Sequence, residues 1–475
     1  MNKMNFRSML RALTLSGAAL FSSACVHFPS YPQLVKSTAP TRILIRDVRV
    51  FPATSREAIE HQDVLVEDGL IREIGPTQAG RSFDGLVLEG AGKTLMPGLV
   101  DLHVHTTMSA APPWYPAVPD ARHNLEAHLF AGTTTVLDLG GSTAEILDER
   151  MRIARGEWEG PRVLFAGPII TAKDGYPISM LRGVYGSLAT FVAADKISTQ
   201  IESIEQARLA VRERWAQGAS IIKVVIADIP RAAPRLSEAE LRAIVDQANQ
   251  LGLKVAAHID TAADAALAAK VGIKLLAHGI VTNALTDEEV KALAASGISC
   301  EPTLINYQRF DRIAQYNYSV NPLEQASESP DVLRAFSAEE VKKQTIPPDF
   351  YAYGDELEKH EADRSKNAKL LFDAGVPIFV GTDAMGSIGS FAGDIHSEMK
   401  LLVDAGIPAA DVLLAATSRG AHFIEAEPSF GTIETGKSAD LLLLNGNPLE
   451  NIEATQAIDT VIVRGRALLR TGWAH

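Results

Sequence analysis

Met96-Pro97-Gly98-Leu99-Val100-Asp101-Leu102-His103-Val104-His105 is the stretch on which the reading of this chain turns. The apolar run from Leu99 predicts a strand, and His103 and His105, two positions apart, point to the same face of it. Turned inward at the mouth of a parallel barrel, two imidazoles share one metal ion readily. Outward from this strand the rhythm repeats. Short apolar strands alternate with amphipathic helical segments over residues 97–428, the pattern of βα units around a parallel sheet. Strands are read at 99–105, 133–140, 162–167, 220–228, 254–260, 274–279, 298–304 and 376–383, which is the strand count of a (β/α)8 TIM barrel. Ser237-Glu238-Ala239-Glu240 has the form of a capped helix start. Residues 305–355 are too long for an ordinary connection and read as an insertion or lid with its own helices.

The flanks differ. In residues 41–96, the segments 41–50 and 63–74 alternate polar and apolar positions around a turn signal at Glu67-Asp68-Gly69, and in 429–475 the segments 439–445 and 460–469 are strand-like, with a turn at Gly465. Strand-like material at both ends, and helix-rich material between, predicts an α/β chain: a barrel plus a small β-sandwich domain formed from both termini.

Residues 1–24 read as a signal peptide. Lys3, Arg7 and Arg11 form a positive region, residues 12–21 an apolar one, and Ser22-Ser23-Ala24 a cleavage site. The apolar run is too short to span a bilayer. Cys25 stands where a bacterial lipoprotein carries its lipid, although Ser22 occupies a position where Leu is usual; release into the periplasm is the even alternative. The chain is therefore expected to be exported, and either periplasmic or attached to the cell-envelope membrane through a lipidated Cys25, with residues 25–40 as a tether. Cys300 is the other cysteine of the two, so there is no disulfide framework. A net charge of -13 argues against nucleic acid as a partner. The partner is expected to be a small-molecule substrate, and a homo-oligomer and a monomer are equally compatible with the sequence.

The chemistry sits at strand ends. His258 closes Val255-Ala256-Ala257, His278 closes Leu275-Leu276-Ala277, and Asp383 closes Phe379-Val380-Gly381-Thr382. Each alone has an ordinary explanation, a backbone-bonded histidine or a helix-capping aspartate. Together with His103 and His105 they are hard to ascribe to coincidence. Lys223, inside Ile221-Ile222-Lys223-Val224-Val225, would be costly as an inward ammonium. It is read either as a neutral amine or as a carbamate bridging two metals, against the alternative of a side chain leaning outward or pairing with Asp228. Tyr176, Arg182, Tyr307 and Arg309 follow strands and are candidate grips for a substrate carboxylate, each equally readable as a plain loop residue.

This constellation resembles the amidohydrolase superfamily, in particular its binuclear members with a carboxylated lysine, such as imidazolonepropionase-like proteins and the Xaa-Pro and Xaa-Arg dipeptidases. The tail Gly431-Thr432-Ile433-Glu434-Thr435-Gly436-Lys437-Ser438-Ala439-Asp440-Leu441 is similar to the family's closing segment. The resemblance implies His103, His105 and Asp383 on one divalent metal ion, and His258 and His278 on a second. A carbamate on Lys223 would bridge the two, with Zn2+ as the usual ion. On such a site attack by a metal-bridging hydroxide is expected, with Asp383 as catalytic general base and then acid, and His278 or a nearby group steadying the oxyanion. The expected reaction is hydrolysis of a carbon–nitrogen bond in a dipeptide or N-acyl amino acid. A lactone, carbamate or phosphotriester substrate, or a non-catalytic surface-anchored binding protein, are the competing readings.

Overall fold

The computed structural model describes residues 26–31, 33–37, 42–344, 348–426 and 428–470; the segment read as a signal peptide and Cys25 lie outside them. The chain first lays down β1 (Val35–Ser37), β2 (Arg42–Val50), β3 (Ile59–Glu67), β4 (Leu70–Pro76), β5 (Leu86–Glu89) and β6 (Thr94–Pro97). Asp68 and Gly69 both take positive φ, 52° and 81°, as a two-residue turn between antiparallel strands demands, and they set the β3–β4 register at Glu67↔Leu70.

The described part of the expected tether is not a tether. The His27 ring stacks on Tyr115 at 3.8 Å and the Tyr31 ring on His123 at 3.7 Å. Leu34 is buried and its amide donates to Glu126 Oε2 at 3.0 Å. β1 then joins the terminal sheet. Two stacked, half-buried rings and the buried Leu34 are what tie this segment down.

β6 runs directly into the parallel strands β7 (Leu99–Val104), β8 (Thr133–Asp138), β9 (Arg162–Phe165), β10 (Ile169–Ala172), β11 (Ser198–Ile201), β12 (Ile222–Val225), β13 (Val255–His258), β14 (Leu275–Ala277) and β15 (Ser299–Glu301). They form one run, β7-β8-β9, and another, β11-β10-β12-β13-β14-β15. The Ser220 amide donates to Phe165 O at 2.8 Å, bringing the start of β12 beside β9. β10 and β11 were not anticipated; they form an excursion between β9 and β12.

Residues 376–383, read as an eighth strand, form no regular ladder. They nevertheless lie between β15 and β7: Phe379 N donates to Cys300 O at 2.9 Å and Leu102 N to Val380 O at 3.0 Å. Left-handed φ values at Asp383 and Met385, 61° and 63°, end the pairing there.

Helices α1 (Ala121–Phe130), α2 (Thr143–Ala154), α3 (Ile178–Ile197), α4 (Ile204–Ala216), α5 (Glu238–Gln250), α6 (Ala262–Val271) and α7 (Asp287–Ser296) pack outside the strands. Ser237 with Glu240, Thr261 with Asp264 and Thr286 with Glu289 close reciprocal capping boxes on α5, α6 and α7. After β15 comes α8 (Leu304–Ala314), followed by Pro322–Ser327, Pro330–Ala335, Ala338–Lys342 and Pro348–Lys359. None of the helices among the described residues is long and apolar enough to cross a membrane.

Arg309, read above as a substrate grip, serves this helical segment instead. It is 1% exposed, gives Nη2 to Glu324 Oε2 at 2.6 Å and Nε to Asp394 Oδ1 at 3.1 Å, and so ties α8 to helix Asp394–Asp404. A guanidinium with two buried carboxylates on it has no fork left for a ligand.

The C-terminal strands β16 (Leu441–Leu444), β17 (Ile458–Val463) and β18 (Arg466–Arg470) complete the terminal domain. Its ladder is one continuous nine-stranded sheet rather than the two separate sheets of a sandwich. β2 explains this. Its first half pairs with β5 and its second half with β6, across register shifts, so the sheet bends around its own core of Ile43, Ile45, Val64, Val66, Leu441 and Ile462.

Arg309→Ala should destabilise the protein by about 3–5 kcal/mol, because it strands Glu324 and Asp394 without a counter-charge. Denaturant unfolding checks this, and an unchanged midpoint would mean the two acids protonate at little cost.

Candidate metal centre and active site

The strands that carry candidate ligands end at one rim. His103 lies on β7 with His105 just past its end, Lys223 lies on β12, His258 ends β13, and His278 follows β14. Parallel register sets Lys223 beside Ala256 and His258 beside Ala277, so the side chains of neighbouring strands converge. Lys223 Nζ is 3.4 Å from His103 Nε2. Asp383 Oδ1 is 3.4 Å from His103 Nε2 and 3.0 Å from His105 Nε2. The His278 ring lies 4.8 Å from His103 and 4.4 Å from His258, centroid to centroid. Asp228, the outward alternative for Lys223, is engaged elsewhere, with Arg231 Nη1 at 3.0 Å.

These rings are held with one nitrogen spoken for. His105 Nδ1 meets Gly140 O at 2.6 Å and His278 Nδ1 meets Thr303 Oγ1 at 2.7 Å. His103 Nδ1 is 2.8 Å from Glu301 Oε1, close but without the alignment of a hydrogen bond. Each contact leaves Nε2 facing the shared space, and the buried Nε2 of His258 has no hydrogen-bond partner.

Electrostatics favour the same arrangement. Burial, reinforced by the positive charge on Lys223 and the other rings, holds His103, His258 and His278 well below the ordinary histidine range, so they are neutral and their lone pairs are free. At His105 burial pulls the same way, but the hydrogen bond and charge of Asp383 outweigh it and the ring is raised. Burial lowers the Lys223 ammonium to about 8, against the pull of Glu301 and Asp383.

His103, His105 and Asp383 offer three ligand atoms within 4.8 Å of one another. Neutral imidazoles, a carboxylate and an orphaned buried nitrogen are the donor set of a divalent ion such as zinc, so the residues present fit one.

Of the candidate substrate contacts, two reach the site. The Tyr176 ring is 4.7 Å from His258 and the Tyr307 ring 5.9 Å from His278. Arg182 does not; it is exposed and paired with Asp174. Arg309 lies in the ion cluster described above.

Three site residues escaped the sequence reading. Asp101 shares the face of His103 and His105 and accepts from Thr382 Oγ1 at 2.7 Å and His103 N at 3.1 Å, fastening β7 to the segment bearing Asp383. Burial raises it to about 7, against its hydrogen bonds. Glu301 is fully buried beside His103, with burial pushing its carboxyl far up; a Cβ on Gly381 would fall 2.3 Å from its Oε2. Both had a legible signal: Glu301 ends its strand, as Asp383 does, and Asp101 is a charged residue inside an apolar run, the rule that picked out Lys223. Asn306 donates Nδ2 to Asp383 Oδ2 at 2.9 Å and carried no such signal, because it sits on α8.

A sequence model described as "Amidohydrolase family" matches residues 94–468. An ochratoxinase from Aspergillus niger is 25% identical over 92% of this chain and 88% of its own. An imidazolonepropionase from Geobacillus sp. is 23% identical over 87% of this chain and 91% of its own. Among solved structures, a Xaa-Pro dipeptidase with methionine bound in its active site superposes with a TM-score of 0.71 at 22% identity, covering 90% of this chain and all of that one.

Glu301→Gln should weaken metal retention by about 10- to 100-fold, since a carboxyl group 2.8 Å behind His103 would orient that imidazole and, ionised by the cation's charge, raise its basicity. Competition with a chelator measures this; equal retention would show that Glu301 does not act on His103.

Proposed function

The chain belongs to the amidohydrolase family, a metal-dependent family of hydrolases acting on carbon–nitrogen bonds, and on that premise we propose that it cleaves the amide bond of a dipeptide or N-acyl amino acid. The observation that carries this reading is the convergence of His103, His105 and Asp383 within 4.8 Å, with Lys223 Nζ 3.4 Å from His103.

In this reading the parallel strands close into a (β/α)8 barrel. Its support is the set of contacts that joins β9 to the start of β12, and β15 to β7 through residues 376–383. His103, His105 and Asp383 would hold one zinc ion, and His258 and His278 a second. Lys223 would bridge them as a carbamate; an amine whose ammonium form is lowered to about 8 is a competent nucleophile toward carbon dioxide near neutral pH. When bound, the metal polarises the scissile carbonyl and makes water acidic enough to serve as the nucleophile.

The chain's own groups do the remainder. Asp383, 8% exposed and so at the open side of the cluster, accepts the proton of the attacking water and returns it to the departing nitrogen. Asn306 holds its Oδ2 while Oδ1 faces His105. His278, with Nδ1 against Thr303 Oγ1, has Nε2 left to hold the second ion and so no N–H to offer the carbonyl oxygen, against the role expected for it above. The absence of a Cβ on Gly386 matters here, because one would stand 2.0 Å from His105 Cδ2 and 2.6 Å from Asp383 Oδ1. Tyr176 and Tyr307 wall the substrate at the rim. Export of the chain, with or without a lipid on Cys25, is part of the same proposal and rests on the amino-terminal sequence.

A hydrolysis screen of the zinc-reconstituted protein over dipeptides, N-acyl amino acids and lactones tests the assignment; turnover of lactones alone would overturn it. Asp383→Asn should retain most of the metal by elemental analysis while kcat falls by about 100-fold or more. Lys223→Ala should lose activity and recover part of it when short-chain carboxylates are added. Full metal content and a normal rate in that variant would remove the bridge.

A further inference from the structure

Asn306 does more in this site than hold an acid. It is 4% exposed, and its Oδ1 is buried and meets no donor. A carboxylate partner accepts only, so the Nδ2 contact to Asp383 at 2.9 Å fixes which end of the amide is which. The turn that carries it is pinned. Asn306 N donates to Thr303 O at 3.1 Å, and Ile305 N donates to the buried Glu398 at 2.7 Å. The amide is thereby held in place, with a free acceptor on the same planar group as the nitrogen that grips Asp383.

A buried acceptor with no donor is costly, and the cost is recovered only when something supplies one. An amide substrate carries such a donor, the N–H of the bond to be cleaved. We propose that Asn306 Oδ1 accepts this N–H, making Asn306 a catalytic and specificity-determining residue that selects secondary amides over tertiary amides and esters. The inference rests on the reading of the site as an amide hydrolase.

The geometry serves the chemistry as well. With its hydrogen on Asn306 Oδ1, the scissile nitrogen keeps its lone pair for the proton on the neighbouring Asp383. As the carbon–oxygen bond forms and the carbon–nitrogen bond breaks, the water proton held by Asp383 passes to nitrogen. The leaving group departs as a neutral primary amine that keeps its own hydrogen, the one hydrogen-bonded to Asn306 Oδ1, and the acyl part departs as the acid. A Xaa-Pro bond has no hydrogen on nitrogen and offers Oδ1 nothing.

The test compares matched substrates on the zinc-loaded protein: a secondary amide, its N-methyl analogue and the ester isostere. For the wild type, N-methylation should lower kcat/KM by at least about tenfold. Asn306→Ala and Asn306→Ser weaken the hold on Asp383 and slow every substrate. They should slow the secondary amide at least about tenfold more than the ester, with metal content and melting temperature held as controls. Equal wild-type rates with and without the N–H would overturn the proposal, as would variants that slow amide and ester alike. The wild-type comparison decides the matter if neither variant folds. Failure to hydrolyse any amide in the panel would instead sink the underlying amide-hydrolase reading, and this inference with it.

Discussion

Everything in this structure answers to one constraint: an amine, several imidazoles and several carboxylates are buried together where there is little water to solvate charge. Isolated, each ionised group would be expensive. The molecule meets the cost by keeping His103, His258 and His278 neutral, by lowering Lys223 to about 8, and by raising Glu301 and Asp101. These shifts are mutual, since each group's state is set by its neighbours. They also have a chemical meaning. Neutral imidazoles and a weakly basic amine are what a divalent cation requires of its ligands, and the cation brings the positive charge that would let the acids ionise.

Such a cluster needs a rigid frame. The backbone at its rim is strained: His278, Thr303 and Asp383 take positive φ of 78°, 46° and 61° although none is glycine. Conformations of this kind persist only where surrounding structure over-determines them. Here the parallel strands beneath do so, as does the bond from Asp383 N to His103 O at 2.8 Å. The terminal sheet contributes at the other end of β7. β6 pairs with β16 through Pro97↔Leu441, and Gly98 N donates to Asp440 O at 2.8 Å, so the strand bearing His103 grows out of a fixed base. The two ends of the chain thus meet to anchor the first ligand strand.

Buried polar groups differ in how fully the chain satisfies them. Arg309 and His396 are as buried as the site residues, yet every donor or acceptor has an assigned protein partner: Glu324, Asp394 and Ser319 for Arg309, Thr455 and Ala131 for His396. His258 Nε2 and Asn306 Oδ1 have none. Unsatisfied buried atoms also occur away from the site, on His128 and Thr133 for example, so it is convergence with the other candidate ligands that singles these two out.

The positions of seven parallel strands, the capped helices and the ligands at strand ends were legible from the chain alone, because periodicity, capping residues and a charged residue in an apolar run are local signals. So was the family. The partners of a charge are not local. Arg309 reads as a free cation until helix Asp394–Asp404 and Glu324 close on it, across 85 and 15 residues of chain. Residues 25–40 read as a Pro/Ser tether until Tyr115, His123 and Glu126 supply contacts to its described part. Asn306 acquires meaning only beside Asp383, and the positive φ at Asp383 and Met385 is not written in pattern or spacing. The sequence by itself determined which elements form and which side chains can ligate; tertiary structure alone decided which of those side chains are satisfied and which are left open, because that depends on neighbours that pattern and spacing do not encode.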